Sequence, residues 1–374
     1  MPRIGVDARM LQNGGIGRYV AELIEAYPNL VRNEEIVVFA YPRDHVDVRR
    51  RAPGIEIVPV SAPIYSVREH VELAWRTGQV GLDLLHIPHY VPPLGVRCAM
   101  VVTIHDLIHL RFPRSRLHAV YCRRMLAEVR RRVSLVLTPS EAVATEVVEL
   151  GGVEPERIRV IPGGVSPRWQ APSSGPEVDA FLRRMRLQPA YLLNVTNGLP
   201  HKGLRTLLEA FRDLLPEAVR ADPEGLRLVL AGRGSDREEV FAEIADCGLP
   251  ADTVVALGGL SEREMRLAYA SAAAVVVASD YEGFGLPALE GMAAGVPVVT
   301  SDAGGLPEVV GDAGIVFPAG SVADLRDALY RVAFELHGDE RRELVQCGLA
   351  QARRFTWEGT ARATLAAYER ALGG

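Results

Sequence analysis

The sequence is nearly free of lysine. Of its 42 basic residues, 41 are arginine, and Lys202 is the single lysine. We attribute a bias this strong to the coding genome. A lysine that survives it marks a place where arginine does not fit, because the two side chains differ in shape and hydration, although one codon can also persist by chance. Lys202 is therefore a candidate functional residue.

Cysteine is also scarce, and long apolar runs are missing. The four cysteines, Cys98, Cys122, Cys247 and Cys347, stand far apart without metal-binding spacing, and a reducing compartment suits them. The longest apolar run, 272–278, is too short to span a bilayer. The sequence leads almost directly into an apolar strand, without the pattern of a signal peptide. We expect a cytoplasmic protein.

Charge is unevenly distributed along the chain. Residues 1–165 carry 21 arginines and 18 acidic residues, a balance of +3, and the remainder carries 21 basic and 29 acidic residues, a balance of −8. Three arginine runs, at 49–51, 123–124 and 130–132, lie in the first part. They could contact anionic lipid headgroups at the inner face of a membrane, or an anionic acceptor, although a solvated helix face is the simpler interpretation.

The chain has 374 residues, 48% apolar and 24% charged, as expected of a soluble globular protein with two domains. Apolar runs alternate with helical patterns, and their continuity predicts buried parallel strands in doubly wound α/β sheets. A stretch rich in proline, glycine and serine, 162–179, marks the seam between two similar halves. The runs expected as strands are 4–7, 36–40, 84–87, 100–104 and 135–138, then 191–195, 226–231, 253–257, 273–278 and 296–300.

One stretch, DYEGFGLPALEGMAAGVP, dominates the second half. It places Glu282 and Glu290 eight positions apart, with Gly285 and Pro287 between them. Proline is favoured in the first turn of a helix, so a short helix is expected from about Leu286 to Ala294. The glycine-rich turn before it exposes amides at the positive end of the helix dipole, which suits an anion. Carboxylates on either side can accept hydrogen bonds from hydroxyl groups.

The text EGFGLPALEGMAAGVPVV resembles the E-x7-E signature of the retaining nucleotide-sugar glycosyltransferases of glycosyltransferase family four. The resemblance implies that Glu290 holds the ribose and that Glu282 holds the transferred sugar. It also implies donor contacts at Phe284, Gly285 and Leu286. Two solvated glutamates on an ordinary proline-initiated helix are the bland alternative.

The same resemblance implies a GT-B fold, in which two Rossmann-like doubly wound domains face a central cleft. We expect an acceptor domain at 1–165, a linker at 166–179 and a nucleotide-sugar donor domain at 180–354. A C-terminal helix at about 355–374 is expected to cross back onto the first domain, as is common in this family.

A glycine-rich motif, NGGIGRY, follows the first strand and opens a helix. Gly14, Gly15 and Gly17 let the backbone approach a phosphate, and in the family this loop faces the donor phosphates. A plain turn is the alternative. A nicotinamide-binding loop is disfavoured, because the G-x-G-x-x-G spacing and an acidic residue after the second strand are both missing.

Histidines follow two strands of the first half. His105 and Asp106 come at the end of the strand expected at 100–104, where catalytic groups gather in open parallel sheets. His105 matches the family histidine that contacts the donor sugar, and Asp106 is expected to orient its ring. His86 and His89 remain open: they could line an acceptor site or simply finish a strand.

Lys202 lies just before a helix in the loop NVTNGLPHKG. A lysine ammonium is a compact point charge suited to a diphosphate. The family usually places an arginine five residues earlier, where this sequence has Asn197. Half of the expected cationic clamp is therefore missing, and Arg18 or Arg233 are candidates to replace its charge.

The expected reaction is transfer of a sugar, with mannose from GDP-mannose favoured, from a nucleoside diphosphate sugar to an acceptor hydroxyl with retention. The acceptor would be a carbohydrate, a lipid-linked sugar or a small molecule in surface polysaccharide or glycolipid synthesis. We expect no cofactor and no nucleic acid. We also expect no obligatory metal, since no Asp-x-Asp motif lies at a strand end. A sugar-nucleotide epimerase, a phosphorylase, a non-catalytic nucleotide-sugar-binding protein and a dehydrogenase are the alternatives.

Overall fold

The chain folds into two compact units. One comprises 1–164 together with 355–374, and the other comprises 165–354. The structure is a computed structural model that describes residues 1–31, 33–113, 115–170, 175–221, 225–250 and 252–373. The expected linker, 166–179, begins with a short 3-10 turn, Pro167–Trp169, and a helix starts at its residue 175. Residues 171–174 of that linker lie outside the described residues.

The first unit is built on a seven-stranded parallel sheet with the order β3-β2-β1-β4-β5-β6-β7. Its central strands are buried on both faces, as their continuous apolar sequences require. The strands are β1 Arg3–Asp7, β2 Glu35–Ala40, β3 Glu56–Pro59, β4 Leu84–Ile87, β5 Ala99–Thr103, β6 Leu135–Thr138 and β7 Ile158–Val160. The helices are α1 Gly14–Leu30, α2 His45–Arg51, α3 Val67–Val80, α4 Ile108–Arg111, α5 Arg116–Arg132 and α6 Glu141–Gly151.

The second unit is built on a six-stranded parallel sheet with the order β10-β9-β8-β11-β12-β13. The strands are β8 Tyr191–Val195, β9 Leu228–Ala231, β10 Val254–Ala256, β11 Ala272–Val277, β12 Val298–Ser301 and β13 Ile315–Phe317. The helices are α7 Gly175–Met185, α8 Leu204–Ala221, α9 Glu238–Asp246, α10 Glu262–Ala270, α11 Leu286–Ala293, α12 Leu306–Val310, α13 Val322–Tyr330 and α14 Gly338–Ala352. Two doubly wound parallel sheets confirm the predicted α/β class.

The sequence expectation missed three edge strands. β3, β7 and β13 have only three or four residues each, and each is paired on one side. Edge strands need less apolar sequence than central ones, and Glu56 and Arg159 interrupt the apolar pattern of β3 and β7. The expected short helix at 286–294 is confirmed as α11, with Pro287 in its first turn.

The last helix, α15 (Trp357–Gly373), belongs to the first unit. The hydroxyls of Tyr368 on α15 and Tyr27 on α1 lie 2.8 Å apart. At the start of the helix, Thr360 donates a hydrogen bond of 2.8 Å to the carbonyl of Pro162. A Cβ at Gly164 would lie 2.3 Å from the backbone nitrogen of Trp357, so this contact requires glycine. Within the described residues, no helix combines the length and apolarity needed to cross a membrane.

Candidate active site

The loop that carries Lys202 lies directly against the end of β11. A short 3-10 turn, Pro200–Lys202, follows β8 and ends at Gly203, whose φ is 61°. A Cβ at Gly203 would lie 1.8 Å from the carbonyl oxygen of Ala278, so no other residue fits without displacing the backbone. The amide of Asp280 donates a 2.9 Å hydrogen bond to the carbonyl of His201. Two backbone contacts therefore fix the position from which Lys202 extends.

Lys202 forms an ion pair with Glu282, the first glutamate of the E-x7-E stretch. The Nζ of Lys202 lies 2.6 Å from Oε2 of Glu282, and Ser279 donates a 3.2 Å hydrogen bond to the same oxygen. The side chains of Lys202 and Glu282 are 18% and 16% exposed to solvent. The structure thus brings together two predicted site residues that lie 80 positions apart in the sequence.

The turn from Glu282 into α11 is held by glycines. The amide of Gly305 donates a 3.0 Å hydrogen bond to the carbonyl of Glu282. A Cβ at Gly304 would lie 2.1 Å from that carbonyl oxygen. Gly285 precedes the helix with a φ of 108°, which side-chain-bearing residues rarely adopt. Phe284 is buried and Leu286 is partly buried, so the amides at the start of α11 are presented on a fixed backbone.

The side chain of Glu290, on α11, is buried. The hydroxyl of Tyr269 on α10 donates a 3.0 Å hydrogen bond to Oε2 of Glu290 and lies 3.3 Å from the carbonyl of Pro287. The ring of Trp169 packs edge-on against Tyr269, with the centroids 5.0 Å apart. Sequence reasoning missed Tyr269, because only the fold brings α10 to α11.

Asn197 does not replace the cation that the family usually has at this position. Its Oδ1 accepts a 3.1 Å hydrogen bond from the amide of Leu199, which closes a turn within the loop. The loop after β9 packs backbone to backbone against this turn, since a Cβ at Gly234 would lie 2.6 Å from the carbonyl of Asn197. Arg233 belongs to that loop and so lies at the same edge of the sheet, whereas Arg18 lies on α1 of the first unit.

Gly14, Gly15 and Gly17 lie in the first turn of α1 rather than in the loop before it. Gly14 has a φ of 44° and open space where a Cβ would be. A Cβ at Gly17 would lie 2.4 Å from the carbonyl oxygen of Leu11. Gly17 therefore lets the chain after β1 turn closely over the start of the helix.

His105 lies two residues beyond β5 and is held by Tyr19 rather than by Asp106. The rings of Tyr19 and His105 meet edge to face, with centroids 4.8 Å apart. The Nε2 of His105 is buried and has no hydrogen-bond partner within the described part of the chain. The expectation that Asp106 orients this ring is wrong, because no hydrogen bond joins the two residues within the described part of the chain. Oδ1 of Asp106 instead accepts a 3.1 Å hydrogen bond from the amide of Ile108 at the start of α4. Burial, with repulsion from His89, lowers the pKa of His105 to about 4.

A chain of buried hydroxyl and imidazole groups runs from α15 to Tyr19. The hydroxyl of Tyr368 lies 2.6 Å from Nδ1 of His86, and Nε2 of His86 lies 2.8 Å from Oγ1 of Thr103. Thr103 in turn lies 3.1 Å from the hydroxyl of Tyr19. Burial, with repulsion from His105, lowers the pKa of His86 to about 3, so the ring is neutral and both nitrogens serve the network. His86 is thus a structural residue of the first unit.

Two family profiles match consecutive parts of the chain. The family profile described as Glycosyltransferase Family 4 matches residues 13–169, and the one described as Glycosyl transferases group 1 matches residues 182–344. The Escherichia coli O-antigen chain mannosyltransferase B is 30% identical over 95% of this chain and 96% of its own length. This chain belongs to the group 1, family 4 glycosyltransferases.

Other relatives extend the comparison. The MMP alpha-(1->4)-mannosyltransferase of Mycolicibacterium hassiacum is 35% identical over 66% of this glycosyltransferase and 57% of its own length. The crystal structure of Anabaena HepE in complex with UDP-glucose superimposes with a TM-score of 0.78 at 18% identity, covering 99% of this chain and 100% of the other. At that identity the likeness concerns the fold, and it confirms the predicted GT-B α/β architecture.

The glycosyltransferase also contains a buried ion cluster that sequence reasoning missed. Arg9, two residues beyond β1, is fully buried, and its Nη2 lies 2.6 Å from Asp7 Oδ2 and 2.7 Å from Glu69 Oε1. Nε2 of His89 lies 3.7 Å from Asp7 and 3.8 Å from Glu69. The signal was a charged pair, Asp7 and Arg9, at positions where the sequence leaves an apolar strand.

The cluster has the composition of a metal site but the contacts of an ion pair. Ligand atoms of Asp7, Glu69 and His89 lie within 4.8 Å of one another. The guanidinium of Arg9 already binds the same carboxylate oxygens that a metal would need. Burial raises the pKa of Asp7, but Arg9 and His89 outweigh it, so the pKa lies well below its usual value. We therefore interpret the cluster as a structural anchor that joins β1 to the start of α3.

Proposed function

We propose that this glycosyltransferase moves a hexosyl group, mannose, from GDP-mannose to an acceptor hydroxyl during synthesis of a surface polysaccharide or glycolipid. The observation that carries the proposal is the contact between Lys202 and Glu282 beside the first turn of α11. A cation, a carboxylate and the amides at the start of α11 within one loop cluster match the needs of a sugar diphosphate. The names of the mannosyltransferase relatives favour mannose.

Each group has a proposed part in binding the donor. Lys202 and the amides at Gly285 and Leu286 neutralise the diphosphate, and a pre-organised positive site lowers the barrier to its departure. Glu290 accepts hydrogen bonds from the ribose hydroxyls. Glu282 accepts a hydrogen bond from a hydroxyl of the transferred sugar. Phe284 closes the turn between the two glutamates.

Residues outside the E-x7-E stretch complete the proposed donor set. Gly14, Gly15 and Gly17 of the first unit are assigned to the donor phosphates by the family resemblance, and His105 to the sugar. A neutral His105 can donate or accept one hydrogen bond without placing a second cation at the sugar. Asn197 adds no charge to this set; its side-chain oxygen holds the turn before Lys202 by accepting the hydrogen bond from the amide of Leu199.

The proposed reaction retains the configuration of the anomeric carbon. The bond from that carbon to the diphosphate oxygen breaks, the acceptor oxygen attacks from the same face, and the departing phosphate oxygen takes the acceptor proton. This route needs no protein nucleophile. The pairing of Glu282 with Lys202 and the burial of Glu290 against Tyr269 support it, because neither carboxylate is arranged as a free nucleophile. Lys202 supplies the positive charge that a metal would otherwise supply, so we propose a metal-independent enzyme.

The decisive test combines donor selection with stereochemistry. GDP-, UDP- and ADP-sugars are offered with and without acceptor sugars, and hydrolysis and transfer are followed by release of the nucleoside diphosphate. We expect turnover of GDP-mannose, an α-linked product by NMR, and unchanged rates in EDTA. Binding without turnover would favour a nucleotide-sugar-binding protein, and conversion of the donor without acceptor would favour an epimerase. Loss of activity in EDTA that a divalent metal restores would contradict metal independence.

We also propose a cytoplasmic enzyme that contacts the membrane peripherally through α5. Leu117 and Val120 are 83% and 63% exposed, and Arg124 lies on the same helix face by spacing. Arg123 and Arg124 have no ion-pair partner among the described residues, so their charge is available to anionic headgroups.

The other arginine runs fit this role less well. Two residues in each pair with nearby carboxylates: Arg131 and Arg132 with Glu128, and Arg50 and Arg51 with Asp47. Cosedimentation with anionic and neutral vesicles tests the proposal. We expect binding only to anionic vesicles, and its loss in Arg123→Glu/Arg124→Glu but not in Arg50→Glu. If Arg123→Glu/Arg124→Glu bound anionic vesicles as well as Arg50→Glu does, α5 would not be the membrane contact.

A further inference from the structure

Only one of the two carboxylate oxygens of Glu282 accepts hydrogen bonds from other described residues. Both hydrogen bonds that it accepts, from Lys202 and from Ser279, reach Oε2. None of the hydrogen bonds among the described residues reaches Oε1. Because the side chain keeps 16% of its exposed surface, Oε1 is available to a bound molecule.

The backbone on both sides of this ion pair is fixed by hydrogen bonds and close packing. The carbonyl of Glu282 is held by the amide of Gly305, and the loop of Lys202 is held through His201 and the close approach at Gly203. The pair can therefore separate by side-chain rotation alone. The pair can be reached from solvent, since its side chains are 18% and 16% exposed, so a stronger anion can replace one partner.

A sugar diphosphate is such an anion. It offers more negative charge than one carboxylate and several acceptor oxygens to the three donor hydrogens of Lys202. If Glu282 stayed on Lys202 while the diphosphate bound, two anions would share one ammonium group. The carboxylate would then repel the donor instead of accepting a hydrogen bond from its sugar.

We propose that Glu282 is the resident counter-anion of Lys202 and is exchanged for the donor diphosphate in each catalytic cycle. This inference rests on the proposed function of the same site. When the donor enters, Lys202 transfers its hydrogen bonds from Glu282 to the diphosphate, and the released carboxylate turns to a sugar hydroxyl. After transfer the sugar is gone, and Glu282 returns to Lys202 and competes with the nucleoside diphosphate. Exchange therefore promotes product release.

The proposal predicts that removing the charge of Glu282 tightens product binding. Calorimetry with GDP and with UDP compares the wild type with Glu282→Gln. We expect affinity about tenfold higher in the variant, equivalent to about 1.4 kcal/mol, and a matching decrease in the release rate. Turnover of the intact donor should fall, because the sugar loses its carboxylate. Glu209→Gln removes the same charge from the Arg205–Glu209 pair on α8 and should leave GDP affinity unchanged.

A double-mutant cycle separates exchange from simple repulsion. In the Lys202→Gln background the resident pair no longer exists, so Glu282→Gln should change GDP affinity less than twofold. If it still tightens binding tenfold, Glu282 acts by repelling the phosphates directly, and the exchange is refuted. Unchanged or weaker GDP binding by Glu282→Gln alone refutes it as well.

Three further outcomes decide between the exchange and its alternatives. If Glu282→Gln fails to fold by circular dichroism, Glu282→Asp keeps the charge but shortens the side chain. It should bind GDP more tightly than the wild type because its pair with Lys202 is weaker, and unchanged affinity would refute the exchange. If the wild type binds neither GDP nor UDP, the proposed function fails together with this inference. If it binds and turns over a donor while the variants show no gain, only the exchange is wrong.

Discussion

The phenol ring of Tyr19 meets the imidazole of His105 edge to face at 4.8 Å, with an interplanar angle of 78°. This contact holds the ring of a buried, neutral histidine whose Nε2 has no protein hydrogen-bond partner among the described residues. Such a nitrogen is costly unless something else uses it. We therefore regard Tyr19 as a positioning residue for His105.

His105→Ala should lower turnover by far more than it lowers GDP affinity, because His105 is assigned to the sugar. Tyr19→Leu should lower kcat in the same direction by about tenfold, since the histidine ring loses its edge contact. Tyr19→Phe keeps the ring and loses the hydroxyl with its hydrogen bonds to Thr103 and Thr364, so it should reduce stability by about 1–3 kcal/mol while kcat changes little. Steady-state kinetics and calorimetry check these values, and equal losses of turnover and affinity would place His105 elsewhere.

Lys202→Ala should lower kcat by about 10²–10³, the scale of losing one pre-organised donor to developing charge. Affinity for the intact donor should fall less, because the contribution of the ammonium grows toward the transition state. Lys202→Arg should recover only part of the rate, since it restores charge but not shape. If Lys202 were merely a solvated lysine at a helix start, Lys202→Ala would shift stability by less than about 0.5 kcal/mol and would retain the wild-type kcat.

Glu290→Ala should weaken GDP binding by about 1–3 kcal/mol, because buried ribose hydroxyls lose their acceptor. Tyr269→Phe is the matched control: it removes the hydroxyl that bonds Glu290 but leaves the carboxylate in place. It should weaken binding less than Glu290→Ala does. Calorimetric titrations with GDP compare the two, and an unchanged affinity in Glu290→Ala would remove this residue from the nucleotide site.

Stability should fall as the pH falls from about 6.5 to about 4. A histidine in an unfolded chain has a pKa of about 6.5, whereas burial lowers the pKa of His105 to about 4 in the folded protein. Between these values the unfolded state binds a proton that the folded state does not, so stability is lost as the pH decreases. His105→Gln should flatten the dependence by up to about 1.4 kcal/mol per pH unit. Urea unfolding at several pH values measures it, and identical slopes in both proteins would contradict it.

Arg9→Met should destabilise the protein by about 3–5 kcal/mol, because it leaves two buried carboxylates without their cation. Arg9→Met/Glu69→Gln should recover part of the loss, since one carboxylate charge goes with the cation. Arg131→Met, which breaks the exposed pair with Glu128, should change stability by less than about 1 kcal/mol. Urea unfolding with matched m-values measures all three. An Arg9→Met protein as stable as the wild type would show that the cluster is not an anchor.

The sequence predicted those parts of the fold that depend on short stretches of neighbouring residues. Central parallel strands are buried on both faces, so they can be recognised in the sequence as largely continuous apolar runs. For β4, β6 and β8 the predicted bounds are those of the structure. The start of α11 could be predicted because Pro287 and Gly285 have strong backbone preferences. The edge strand β3 could not be predicted, because a strand that is paired on one side only needs fewer apolar residues.

Contacts between distant segments were beyond sequence reasoning. Lys202 and Glu282 were each recognisable by motif, but their pairing depends on the close approach of Gly203 to Ala278. Asp106 was expected to orient His105 because it is adjacent in sequence, yet the backbone of α4 takes its Oδ1. Adjacency along the chain says little about which way a side chain turns after a strand ends.

The division of the first unit between 1–164 and 355–374 has a consequence for synthesis on the ribosome. Tyr368, which hydrogen-bonds Tyr27 and His86 inside that unit, emerges only after all of 165–354 has been translated. Until then the face of α1 that α15 covers is open to water, and the second unit can complete its own core first. A nascent chain would thus finish its N-terminal unit last. The hydrogen-bonded network from Tyr368 through His86 and Thr103 to Tyr19 would assemble only in that final step.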